Sequence, residues 1–106
     1  MNKIECIKRD FKQAINKLYG DRLSQIILYG SYARGDNNQN SDIDFLVVLN
    51  EEEIALGKEL YFMNSAIFRL TLHYGIMISH YPTTRKKLEN SQSMFYSQIR
   101  KEGKVI

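Results

Sequence analysis

LYGSYARGDNNQNSDIDFLVV, residues 28–48, is the stretch that decides the fold. It starts at the end of an apolar run, Gln25-Ile26-Ile27-Leu28-Tyr29, and turns at Gly30-Ser31. It then crosses a polar loop and enters a second apolar run through Ser41-Asp42-Ile43-Asp44. Alternate residues of a strand share a face, so Asp42 and Asp44 project together. Two carboxylates that close repel each other, and a divalent cation is the usual compensation. Gly30-Ser31 reads as a strand-to-helix turn. The glycine lets backbone N–H groups approach a ligand, and the start of the helix favours a phosphate. A phosphate cradle beside a two-carboxylate metal site is the layout of a centre for nucleoside triphosphate transfer. The plainer alternative is a hairpin-like loop with a solvated acidic rim; the combination of turn, spacing and apolar flanks argues against it.

Outward from this stretch the chain alternates helices and strands. The first strand covers residues 24–29 and the second residues 42–49. In the second, Ile43, Phe45 and Val47 face one side, while Asp42, Asp44, Leu46 and Val48 face the other. Both sides become apolar beyond the acids, so the strand is expected to be central with its acids at the solvent end. Upstream, residues 2–19 carry Ile4, Ile7, Phe11, Ala14, Ile15 and Leu18 at helical spacing, with Gly20 as the stop. Cys6 lies in this helix as a small packing residue. Downstream, Asn50 and Glu53 suggest a capping box for a helix running to about residue 71. Its buried stripe would be Leu56, Leu60, Met63, Ile67 and Leu70. Glu51, Glu52 and Glu53 suit its first turn, where the helix dipole favours them. Residues 72–80 (LHYGIMISH) read as a third strand ended by Tyr81-Pro82. Thr83 or Thr84 then caps a short helix through Leu88. Residues 91–101 form a last helix with Met94, Phe95, Gln98 and Ile99 on or near its inner face. Gly103 stops it, and residues 104–106 add an edge segment. This order predicts an α+β domain with a small mixed sheet.

Composition sets the outer bounds. With 106 residues, 43% of them hydrophobic and 25% charged, a soluble globular class and a single domain over 1–106 are expected. No apolar run reaches the length of a membrane helix, and MNKIECIKRDF lacks a signal-peptide core, so no membrane association and a cytoplasmic location are expected. One cysteine excludes an internal disulfide and a cysteine zinc cage. The net charge of +3 is modest. The basic groups at Arg85-Lys86-Lys87 and Arg100-Lys101 suit a solvated helix face, a triphosphate or an acidic partner. Without aromatic–basic interleaving, a nucleic-acid partner is not expected.

Gly30-Ser31, ten residues, then Asp42-x-Asp44 resembles the signature of the polymerase beta-type nucleotidyltransferases. The text GSYARGDNNQNSDID looks like the minimal nucleotidyltransferases, small chains often encoded beside a HEPN-domain ribonuclease toxin. The resemblance implies a polymerase beta-type core. It also implies transfer of a nucleoside monophosphate, AMP from ATP, to a hydroxyl. Asp42 and Asp44 would be catalytic residues holding one or two Mg²⁺ ions, and Gly30 and Ser31 would hold the β- and γ-phosphates. Arg34 has two readings, a triphosphate contact or a loop brace through Asp36. A chain this short leaves no room for a second domain, so the acceptor implied is a partner protein's side chain: a tyrosine of a HEPN toxin, with this chain as antitoxin. The wider superfamily carries a third carboxylate on the strand after the second helix, often the general base. Here that strand has no Asp or Glu, and the places expected for it are Gly75 or Met77. His73 and His80 are the titratable substitutes, each with packing as its plainer role. A binder that keeps the fold and neutralises its partner by contact alone is the rival reading.

Overall fold

The two apolar runs flanking the polar loop lie side by side in an antiparallel pair. The computed structural model describes all residues, 1–106. Strand β1 (Leu23–Tyr29) pairs with β2 (Ile43–Leu49), with Leu28 opposite Phe45 and Tyr29 opposite Asp44. Strand β3 (Ile78–Thr84) joins the other side of β2 in parallel, and the short β4 (Lys104–Val105) adds to β1. The mixed sheet therefore runs β3-β2-β1-β4, with β2 inside. Every residue of β2 from Phe45 to Leu49 is fully buried, as expected for a strand covered on both faces. Pro82 lies within β3, which tolerates a residue without an N–H donor because it is an edge strand.

Five helices cover the sheet: α1 (Lys3–Tyr19), α2 (Ser31–Arg34), α3 (Leu56–Tyr74), α4 (Arg85–Asn90) and α5 (Met94–Glu102). On one face, Ile7, Phe11 and Ile15 of α1 and Met63 and Ile67 of α3 pack on Ile26, Leu28, Phe45 and Val47. Phe11 stacks on Phe45 with ring centres 4.0 Å apart. On the other face, Leu88 of α4 and Tyr96 and Ile99 of α5 cover Ile27, Leu46 and Val48. The Tyr96 hydroxyl sits 2.6 Å from the Thr83 hydroxyl oxygen, which satisfies both buried groups.

Four expectations from the sequence change. The capping box is absent: α3 begins at Leu56, six residues after Asn50. Asn50 instead closes the far end of the β1–β2 pair. Its amide N–H donates to the Arg22 carbonyl at 2.7 Å, and its side chain donates to the Asp21 and Leu23 carbonyls. Second, α3 continues through His73 and Tyr74, and Gly75, with φ +66°, caps it by donating to the Thr71 carbonyl. The third strand accordingly starts at Ile78 and not at Leu72. Third, the stripe of α3 is centred on Glu59, Met63 and Ile67, leaving Leu56 at 40% exposure. Fourth, Tyr96 and Ile99 are the buried residues of α5, while Met94 is 86% exposed.

The buried Glu59 is held by two partners from outside its helix. It accepts from the Tyr19 hydroxyl at 2.9 Å and from Arg22 at 2.9 Å, and Arg22 also donates to Glu51 at 2.6 Å. This network lines the largest cavity, about 860 Å³, at the end of the sheet where β2 finishes, opposite the acid pair. Truncating Met63 to Ala should cost about 2–5 kcal/mol of stability. Leu56→Ala should cost less than about 1 kcal/mol because its side chain is already partly in water. Urea denaturation of both variants checks the register of α3.

Candidate active site

Gly30 breaks β1 with φ +74°, a conformation that glycine adopts without strain. Its carbonyl accepts from the N–H groups of Ala33 and Arg34, each at 3.0 Å, which starts α2. Ala33 is buried and anchors the turn against the sheet. The first N–H groups of a helix have no partner within it, and those of Ser31 and Tyr32 open this one. Gly35, at φ +84°, ends α2 and releases the chain into the loop.

The loop sets the entry to β2 through its own side chains. The Asn38 N–H donates to Ser41 Oγ at 2.9 Å, and the Asn40 N–H donates to Asn38 Oδ1 at 2.8 Å. The Ser41 N–H returns to the Asn38 carbonyl, and the Ile43 N–H donates to the Met77 carbonyl, each at 3.1 Å. Asp42 emerges exposed and Asp44 half-buried. Alternation along β2 puts both on the face covered farther along by α5. A Cβ built on Gly30 would collide with Asp44 Oδ2 and come within 3.2 Å of its Cγ, so the turn and the carboxylate share one space.

Neither Asp42 nor Asp44 takes part in an ion pair. Burial holds the Asp44 pKa above the ordinary carboxylate value, and Asp42 pushes it the same way. Hydrogen bonding by Ser79 and the charge of Arg34 pull it back only in part. A half-buried, under-compensated carboxylate beside an exposed one fits a hard divalent cation. No group of three or more His, Cys, Asp or Glu side chains forms, so such a cation must take its other ligands from substrate and water. Across the sheet, Tyr29, Asp44 and Ser79 form one row. Burial, then Asp44, pushes the Tyr29 phenol up to about 12, so it stays protonated.

The β2–β3 register corrects the place of the missing acid. Ser79, not Gly75 or Met77, stands level with Asp44 on the same face. Gly75 is a helix cap and Met77 precedes the strand. The histidines are not substitutes for it. His73 belongs to the last turn of α3, its ring edge-on to Tyr74. His80 is level with Phe45 and so belongs to the opposite face, where its Nε2 is buried without a partner and burial lowers its pKa. Arg34 is braced as one of its two readings had it. It donates to Asp36 and to Glu102 of α5, each at 3.1 Å. The Glu102 contact joins residues far apart in sequence and was not legible there.

A family model described as a nucleotidyltransferase domain matches residues 8–106. Two proteins of Methanocaldococcus jannaschii, both named as protein adenylyltransferases, are similar in sequence. One is 40% identical over 79 residues, covering 74% of this chain and 77% of that protein. The other is 31% identical over 107 residues, covering 100% of this chain and 99% of that protein. Among solved structures, a toxin–antitoxin complex with AMP-PNP shares the fold, with a TM-score of 0.65 at 18% identity, covering 92% of this chain and 70% of that one.

Because burial raises the Asp44 pKa, its ionised form opposes folding, and the opposition fades as pH falls through that raised titration. Asp44→Asn should therefore raise the melting temperature of the ligand-free chain at pH 7, with the gap to wild type closing in acid. Gly30→Ala should do the reverse, costing about 1–3 kcal/mol through its positive φ and its collision with Asp44. Calorimetric melts of both variants across pH read the two effects.

Proposed function

The chain belongs to the nucleotidyltransferase domain family and is a nucleotidyltransferase, and from that premise we propose that it transfers AMP from ATP to a hydroxyl group, with Mg²⁺ held by Asp42 and Asp44. The observation that carries this reading is the packing of an under-compensated Asp44 against the open Gly30 turn, with Asp42 exposed beside it. Residues 1–106 act as one domain in this reading.

Each residue has a part that its surroundings support. Asp42 and Asp44 are the metal ligands and so orient the triphosphate. Gly30 and Ser31 meet the β- and γ-phosphates, Ser31 through its open backbone N–H and Gly30 through the room its missing Cβ leaves. Arg34 exchanges its exposed partner Asp36 for phosphate, a small loss because exposed ion pairs contribute little. Bound Mg²⁺ supplies charge stabilisation of the phosphates and aligns the leaving group. The acceptor oxygen forms a bond to the α-phosphorus, the bond from that phosphorus to the bridging oxygen breaks, and pyrophosphate leaves. The hydroxyl proton passes to water, because Ser79 stands where a base level with Asp44 would be. Positioning and electrostatics supply the larger part of such a transfer, and an absent base forfeits about 10²–10⁴-fold.

The acceptor in this reading is a tyrosine hydroxyl of a HEPN-domain toxin, and the chain is its antitoxin. The names of the two archaeal relatives and the toxin–antitoxin complex of the same fold support it. The acid-free β3 supports a second reading, in which the chain neutralises its partner by contact alone.

Intact mass spectrometry of the partner after incubation with ATP and Mg²⁺ separates the two. A gain of one AMP that disappears with Asp44→Asn is the expected result. Ser79→Asp should raise the transfer rate, by up to about 10²-fold. Neutralisation without any mass change, retained by Asp44→Asn, would replace transfer with contact inhibition.

A further inference from the structure

We propose that the seam between α1 and α3 is a docking groove for an acidic amphipathic helix of a partner protein. The two helices run antiparallel. Tyr19, at the end of α1, donates to Glu59 near the start of α3, and Tyr74, at the end of α3, donates to Asp10 within α1. Their inner faces cover the sheet, and a groove of about 480 Å³ lies between them. It is lined by the partly buried Ala14 and Leu18 of α1 and Ala66 and Leu70 of α3, and bordered by the exposed Lys17 and Arg69. One helical turn before Ala66, Phe62 lies edge-on to Tyr19 and remains 44% exposed, which extends the apolar surface. The groove is across the sheet from Asp42 and Asp44, so the proposal does not depend on the nucleotide reading.

Charge and backbone chemistry identify the occupant. Neither Lys17 nor Arg69 has an ion pair, and no acidic side chain lines the groove. A second copy of this chain, seated groove to groove, would set the same cations against each other. Carboxylates flanking an apolar stripe meet both borders instead. Both walls are helices, whose backbone N–H and C=O groups are bonded internally. An extended segment would find no backbone partner there and would leave its own polar groups unpaired over an apolar floor. A helix satisfies its own backbone and lays an apolar face into such a seam. Its apolar side chains then bury the floor, and ion pairs to Lys17 and Arg69 set the choice of partner more than the affinity. A partner held there leaves the face that carries Asp42 and Asp44 open.

The test is calorimetric titration of the full chain with two synthetic peptides of about 20 residues, long enough to hold helical structure. They share one Leu/Ala stripe and differ at the flanking positions, which are Glu in one and Lys in the other. The Glu peptide should bind roughly 10-fold or more tightly than the Lys peptide, and the gap should shrink as salt rises. The double variant Lys17→Glu, Arg69→Glu should invert that preference. Both positions are exposed and unpaired, so its melting curve should match wild type. The same reversal at Lys86 and Lys87, exposed on α4, should leave the order of the two peptides as in wild type. Ala66→Leu fills the groove and should weaken both peptides. Equal binding of the two peptides, binding of neither, or a preference unmoved by the reversal at Lys17 and Arg69 would overturn the proposal. So would a dimer in sedimentation that the same reversal dissolves, which gives the face to a second copy. Vesicles of phosphatidylglycerol and phosphatidylcholine that bind the chain when the Glu peptide does not would give it to a lipid surface.

Discussion

The close approach of Gly30 to the Asp44 carboxylate is the constraint on which the rest of the site depends. The turn after β1 and the start of β2 are neighbours in the sheet because Tyr29 pairs with Asp44. That register leaves no volume for a side chain at position 30. It also brings the opening of α2 and the acid pair into one small region. The arrangement opposes folding, since a half-buried carboxylate beside a second one has no cationic partner in contact. Such strain at a site is offset by the surrounding packing. Here that packing is the buried run of β2 between two helical layers.

The opposite end of the sheet is built in the contrary way. There the charges are paired: Glu59 has Tyr19 and Arg22, and Arg22 has Glu51. Arg22 also lies over the Tyr19 ring, 5.0 Å from its centre. Removing one partner of such a network leaves a buried charge uncompensated, so it fixes where α3 begins more than it adds net stability. Its cavity is the largest of the molecule, yet its charges are already satisfied by one another. A smaller cavity at Gly30 adjoins the charges that are not.

Much of this was legible in residues 28–48 because both signals there are local. Alternation along a strand puts Asp42 and Asp44 on one face whatever else the chain does, and a glycine before a helical turn has few other uses. The central place of β2 followed from apolar residues on both of its faces. The start of α3 was not legible. Asn50 and Glu53 have the right spacing for a capping box, but Asn50 is drawn into hydrogen bonds with Asp21, Arg22 and Leu23, residues that only the β1–β2 pairing brings near. The end of α3 was misread for a related reason. Residues 72–74 are apolar or aromatic enough for a strand, and the Tyr74 hydroxyl is claimed by Asp10 of α1, which holds the helix one turn longer.

The sequence by itself determined the acid pair, the glycine turn, the mixed sheet and the absence of an acid on the third strand, because each depends on residue type and near-neighbour spacing. Only the tertiary structure decided that Ser79 is the residue level with Asp44, since the parallel β2–β3 register spans a whole helix. Only it joined Arg34 to Glu102 and set Phe95 between Tyr29 and Tyr81. These contacts lie between residues whose separation along the chain carries no periodic signal. The packing of α5 on the sheet creates them.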